Sequence, residues 1–188
     1  MLGELEDLIE ARLKELAGPL RNLTVESYGG ELSDPDLLSG LLKRCPAVLV
    51  MVPKATFKKR SQERYNVPIT FRLVIATRHP RGERETRRGY GQKDIGSYEL
   101  WEACMHQLTD WQPWPDRAAI TPTELSNLVN GKLSSDHLSV LGQSFVIELD
   151  WVKPKQALPD FLGIDMEYHA PSGIPEPVAT DTIELRDV

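Results

Sequence analysis

Two pairs of residues in this sequence have types and spacing that could serve ligand binding or catalysis. The first is Gly29-Gly30, which lies between a short predicted strand and the start of a predicted helix, as phosphate-binding turns do. The carboxylates of Glu31, Asp34 and Asp36 follow it and would repel a phosphate at that helix start. The spacing also lacks the glycine pattern of nucleotide-binding loops. We therefore expect Gly29 and Gly30 to form a structural turn that uses positive φ.

The second pair is Asp136-His137, which follows two serines and is the only basis for a hydrolase hypothesis. Serine hydrolases commonly hold their nucleophile in a G-x-S-x-G turn, and this sequence has none. The four histidines are scattered, with no carboxylate or cysteine at metal-ligand spacing. The sequence therefore favours a protein that is not an enzyme and needs no metal or cofactor.

Two cysteines, Cys45 and Cys104, lie far apart in apolar surroundings. A disulfide between them stays open as an alternative, but buried free thiols fit these surroundings better.

A strong local positive charge lies in residues 78–93, a long polar segment with glycines at 82, 89 and 91. Its six bases outnumber its two acids, a balance of +4 in a chain of net charge −6. We predict a mobile loop because of these glycines, and long loops inside compact domains are often functional. The bases expected to contact another subunit or DNA are Arg78, Arg81, Arg84, Arg87, Arg88 and Lys93.

The elements that must position these residues follow from apolar periodicity. Helices are predicted at 3–17, from Asp34 to Arg44, at 97–109 with Tyr98, Trp101, Met105 and Leu108 on its apolar face, and after a capping box at Thr121-Pro122-Thr123-Glu124. Strands are predicted at 23–28, 48–57, 67–76 and 145–151, the second and third forming a hairpin across a charged turn at 58–64. The pattern is that of an α+β domain.

The chain changes character after Val152, which predicts a domain at 1–152 and an extended arm at 153–188. The arm is rich in proline and carries seven acids against three bases. Its charge is opposite to that of the 78–93 segment, which favours contact between copies or with a larger assembly.

Composition excludes several classes of protein. No apolar run is long enough to span a membrane, and the acidic N-terminus is not that of a signal peptide, so we expect a cytoplasmic product. The net charge of −6 argues against a dedicated nucleic-acid binder. The four tryptophans have no basic residues interleaved with them, so the sequence predicts core aromatics instead of base stacking.

The order of short segments resembles a family of small virion proteins encoded among the tail genes of Mu-like phages and prophages. The resemblance covers about Leu5 to Trp151. The segments that carry it are YGG at 28–30, PAVLV at 46–50 and LVNGKL at 128–133.

The resemblance implies a structural protein at the head–tail junction, similar to tail-terminator proteins, which cap the tail tube as a ring, usually a hexamer, and dock the head. It implies assembly in the host cytoplasm, residence in the virion, and a mixed, mainly antiparallel sheet with helices packed on it. The implied partners are further copies of the chain, the tail tube protein, head-completion or neck proteins, and DNA in the lumen. In such a ring, a strand carrying Thr180, Ile183 and Leu185 would add to a neighbouring sheet.

Two other functions stay open beside the terminator. One is another neck or head–tail joining protein. The other is an accessory protein that binds DNA through the 78–93 segment, for which a steep salt dependence is expected.

Overall fold

The computed structural model describes residues 1–20, 22–91, 94–128, 137–154, 163–168 and 179–184. The chain divides into two units, Met1–Val152 and Lys153–Val188. The helices of the first unit are α1 (Leu2–Lys14), α2 (Pro35–Arg44), α3 (Glu83–Arg88) and α4 (Ser97–Leu108). Its strands are β1 (Thr24–Ser27), β2 (Ala47–Ala55), β3 (Lys58–Lys59), β4 (Arg64–Arg78), β5 (Thr121–Asn127) and β6 (Leu138–Val152).

The first unit is an α+β structure built on one mixed, mainly antiparallel sheet, as predicted. The strand order is β1-β2-β4-β6-β5, with β3 paired to β4. Among the described strands, only β1 and β2 run parallel, and α2 connects them. The predicted hairpin of β2 and β4 is confirmed, with Val48 opposite Ile75.

The longest feature is the antiparallel ladder between β4 and β6. It runs without a break from the pair Arg64 and Val152 to the pair Arg78 and Leu138. At about 3.4 Å per residue, the two ends of this ladder lie roughly 50 Å apart. Groups at its two ends therefore belong to separate surfaces.

One face of the sheet is covered by α1 and α4. Leu5, Ile9 and Leu13 of α1 are fully buried, because their spacing puts them on one side of the helix. Beneath them, Phe71 and Phe145 of the central ladder stack with ring centroids 5.0 Å apart. This face holds the larger of the two apolar cores.

The opposite face is covered in part by α2, which packs Leu41 over a smaller core that includes Leu49 and Val74. The helix begins where predicted, since the Asp34 carboxylate accepts a hydrogen bond from the backbone N–H of Asp36 at 2.8 Å. The strand β2 is apolar on both faces because both are covered, as its unbroken apolar run indicates.

Helix α4 lies where it was predicted, and Leu108 of its predicted apolar face is buried, but the fully buried face is rotated away from Tyr98. The buried residues are Ser97, Leu100, Cys104 and Leu108, while Tyr98 is 45% exposed. Trp101 lies at the margin, where its indole N–H donates to Gln143 Oε1 at 2.9 Å. The side of the helix with small and aliphatic residues packs against the sheet. Trp101 stays at the edge of this interface, because its indole N–H needs a polar partner.

The helix predicted from the capping box at 121–124 is wrong, and this segment is strand β5. It pairs with β6 from Thr121 opposite Val146 to Asn127 opposite Leu141, with an irregularity between Pro122 and Glu124. Thr123 Oγ1, inside the predicted capping box, donates to the Ser144 carbonyl at 3.1 Å. Proline is tolerated here because β5 is an edge strand and the irregularity removes a ladder position.

The second unit contains a two-stranded antiparallel sheet of β7 (Gly163–Tyr168) and β8 (Ala179–Glu184). Thr180 pairs with Glu167 and Ile183 with Ile164, whereas Leu185 lies outside the described residues. The strand expected at 180–185 is thus present, but it pairs within its own chain through β7, which the sequence analysis did not predict.

Candidate functional site

The basic segment that follows β4 contains a short helix, α3, so the predicted structureless loop is wrong. Thr86 fixes this helix. Its hydroxyl lies 2.7 Å from the Gly82 carbonyl oxygen and 2.9 Å from that of His137. Its own carbonyl accepts a hydrogen bond from Thr77 Oγ1 at 2.8 Å. Thr86 is 1% exposed, so the helix is anchored to the ends of β4 and β6.

The end of α3 is fixed by two glycines that allow its backbone to touch the start of α4. Gly89 has φ 79°, in the left-handed region. A Cβ atom on Gly89 would lie 2.6 Å from the Asp94 carbonyl oxygen, and one on Gly96 would lie 2.3 Å from the Gly89 nitrogen. No other residue fits at either position without moving the backbone.

Three of the predicted contact residues come together on α3. Arg84, Arg87 and Arg88 line an open pocket of about 470 Å³ with Tyr98 of α4. Their i, i+3, i+4 spacing places them on one face of the helix. Among the described residues, no carboxylate lies within 4.0 Å of these three guanidinium groups. We name Arg84, Arg87, Arg88 and Tyr98 the α3 surface.

The other predicted bases do not join this pocket. Arg81 stacks its guanidinium over the Tyr90 ring, 4.0 Å from the centroid. Arg78 is the last residue of β4, opposite Leu138, and Lys93 lies outside the described residues.

At the Gly29-Gly30 turn, the place that a phosphate would take is filled by the carboxylate of Glu31. The Gly29 N–H donates to Glu31 Oε2 at 2.8 Å, and Gly30 takes φ 101°. Glu31 is 6% exposed, and its other oxygen lies 3.4 Å from an Arg44 nitrogen. A phosphate would meet this buried carboxylate at the turn.

His79, which lies within the basic segment, has both ring nitrogens engaged. His79 Nδ1 accepts a hydrogen bond from the Arg81 N–H at 3.2 Å, and Nε2 lies 3.4 Å from Asp94 Oδ2. Because Nδ1 accepts, the neutral ring carries its proton on Nε2. For the hydrolase hypothesis, His137 is exposed with φ 51°, and Asp136 lies outside the described residues.

Both cysteines are free thiols with raised pKa values. Burial raises the pKa of Cys104 to about 12. Burial raises the pKa of Cys45 to about 11, although the nearby Arg78 and Arg44 charges oppose that shift. Since the thiolate is the nucleophilic form, neither group is poised for attack at neutral pH. Within the described ranges, no cluster of three His, Cys, Asp or Glu side chains could hold a metal ion.

A second basic surface lies at the other end of the β4–β6 ladder, and the sequence analysis missed it as a site. Phe57, between β2 and β3, packs edge-on against Tyr65 and Trp151, with ring centroids 6.5 and 6.4 Å away. The exposed bases around it are Lys54, Lys58, Lys59, Arg60 and Arg64. We name these eight residues the hairpin tip. Only the pairing of β4 with β6 brings Trp151 beside these bases.

The family of the chain follows from comparison with known proteins. A family model described as bacteriophage Mu, Gp37 matches residues 1–150. The chain belongs to the bacteriophage Mu Gp37 family. This confirms the resemblance to a Mu-like phage family and supports a phage structural protein associated with the virion. A comparison with curated proteins found no match.

The Gp37 match takes in helices α1 to α4 and nearly all of the six-stranded sheet, including the α3 surface and most of the hairpin tip. In the part of the chain that the structure describes, no helix combines the length and apolar character needed to cross a membrane.

Proposed function

We propose that this protein is a tail terminator, which caps the tail tube as a ring and presents the surface on which the head docks. The observation that carries the proposal is membership in the Mu Gp37 family over residues 1–150. A hexamer is the proposed ring, with the tail tube protein on one face and head-completion or neck proteins on the other.

The α3 surface supports a contact between subunits. Arg84 and Arg88 stand at i, i+4 on one helix, where like charges repel. Acidic groups from a neighbour would relieve this repulsion, and residues 153–188 carry seven acids against three bases. A rotational ring brings two different patches of one subunit together on neighbours. We therefore assign the α3 surface to the acidic second unit of an adjacent copy.

The edges of the sheet also favour assembly. In the described residues, β1 and β5 are the edge strands of the six-stranded sheet, and β7 and β8 form a separate two-stranded sheet. Unpaired strand edges are the usual places where a further strand adds. In the ring, an edge of either sheet would pair with a strand of the neighbouring subunit and extend the sheet across the interface.

The test is electron microscopy of a lysate from a phage or prophage that lacks the gene, with the gene supplied in trans as the control. We expect headless tails of irregular, overlong length, because tube growth has no stop. Tails of normal length beside full, unattached heads would overturn the terminator and favour another neck protein. Normal virions in the lysate would show that the particle assembles without this protein, which would overturn a structural role in the virion.

A further inference from the structure

The hairpin tip is the most basic stretch of the described chain outside the α3 region. Residues 54–64 hold five bases against one acid, Glu63, a balance of +4 in a chain of net charge −6. All five bases are exposed. The tip lies at the Arg64 end of the central ladder, whereas α3 follows the Arg78 end. The two basic surfaces are therefore independent of each other.

Most of the charge on the tip is unpaired. Arg60 lies 4.0 Å from Asp150, a long and exposed ion pair. For the other four bases, no carboxylate of the described residues lies within 4.0 Å. Lys58 and Lys59 form β3 and are held by pairing with Asn66 and Tyr65, so their backbone positions are set by the sheet.

An aromatic platform stands among these bases. Phe57 is 57% exposed although it contacts two other rings. Tyr65 and Trp151 lie beneath it, with their own centroids 5.6 Å apart, and they hold its ring in place. An exposed, supported ring beside unpaired bases matches proteins that bind nucleic acid through the backbone and stack on bases or sugars.

We propose that the hairpin tip binds DNA through its phosphates, without reading sequence, and that Phe57 contacts a base or sugar. The five bases alone would equally fit an acidic protein surface. The exposed Phe57 ring beside them favours nucleic acid, because a base or sugar can stack on it. The proposal does not depend on the tail-terminator assignment, because it concerns binding by the isolated protein.

The experiment measures binding of the full chain to labelled 20-nucleotide single strands and 20-base-pair duplexes by fluorescence anisotropy between 50 and 300 mM KCl, about the range in which phosphate contacts are lost. The test variant is Lys58→Ser/Lys59→Ser/Arg64→Ser. The matched control is Arg84→Ser/Arg87→Ser/Arg88→Ser, which removes the same charge from α3. All of these side chains are exposed or half-buried, and circular dichroism checks that both variants fold.

We expect the tip variant to bind at least about tenfold more weakly at 100 mM KCl, and its duplex salt slope to fall by about 2 to 3, since each phosphate contact contributes about 0.9. Phe57→Ser should weaken single-strand binding by about fivefold or more. The α3 control should bind within about twofold of the unaltered chain. Binding through phosphates is strongest at the lowest salt concentration, about 50 mM KCl here. If the unaltered chain does not bind DNA at that concentration, the proposal is overturned. Loss of binding only in the α3 control also overturns it and moves the DNA contact to α3.

Discussion

Gly96 lies against the backbone of Arg87, so that a Cβ atom on the glycine would stand 2.4 Å from the arginine carbonyl oxygen. This contact joins the end of α3 to the start of α4. It makes the α3 arginines part of a fixed surface, because the helix that carries them cannot shift away from α4 without losing its packing.

The first prediction concerns this contact. Gly96→Ala should lower the free energy of unfolding by about 2–3 kcal/mol, because backbone must move to admit the methyl group. Urea denaturation measures the change. Gly40→Ala is the control: Gly40 lies inside α2 with nothing within 4 Å of an added Cβ, so alanine there should stabilise the helix by about 0.5–1 kcal/mol. Equal effects of the two substitutions would contradict the contact.

The second prediction compares a buried phenylalanine, Phe71, with an exposed one, Phe57. Phe71→Ala should cost about 3–5 kcal/mol, because Phe71 is fully buried and stacked on Phe145. Phe57→Ala should change the free energy of unfolding by less than about 1 kcal/mol, because its ring is mostly in solvent. Thermal or urea unfolding of both variants measures this. A large loss for Phe57→Ala would show that the tip ring is structural.

The third prediction concerns assembly. Arg84→Ser/Arg87→Ser/Arg88→Ser should weaken ring formation and lower infectious yield while leaving the free energy of unfolding within about 1 kcal/mol of the original. Analytical ultracentrifugation and plaque titre measure these two effects. Lys58→Ser/Lys59→Ser/Arg64→Ser is the charge-matched control and should assemble normally. Normal rings and normal yield from the α3 triple variant would remove α3 from the subunit interface.

The fourth prediction follows from the raised pKa of Cys104. The thiol ionises at about 9.0 when unfolded and at about 12 in the fold, so the stability it contributes is fully present below pH 9.0. As pH rises through this window the unfolded chain loses the proton first, and the free energy of unfolding falls by up to about 1.4 kcal/mol per pH unit. Cys104→Ala should therefore show a shallower decline between about pH 9 and 11 in urea titrations. Identical slopes would contradict the burial of this thiol.

Helix α3 could have been predicted from a pattern within its own sequence, although we predicted a loop there. Glycines at 82 and 89 bracket six residues, with acids at the start and arginines at i, i+3, i+4. That pattern is typical of a short helix. Its polar composition favoured a loop instead, since no apolar stripe was visible. The one buried anchor, Thr86, is polar and gives no hydrophobic periodicity.

Strand β5 shows the opposite case, in which a clear local signal was overruled. The capping box at 121–124 favours a helix, but the segment lies beside β6 and pairs with it as an antiparallel strand, with Leu125 opposite Gln143. Long-range pairing with a fifteen-residue strand outweighs a helix start whose preference is about 1 kcal/mol.

The sequence by itself determined α1, α2, the position of α4, the apolar strands β2, β4 and β6, and the α+β class, because each of these is encoded by periodicity or capping within a short window. Tertiary structure alone decided which face of α4 is buried, that 121–127 is a strand, and that Trp151 joins the bases near Phe57. Those features depend on which residues meet across the β4–β6 ladder, and partners far apart in the chain leave no local pattern to read.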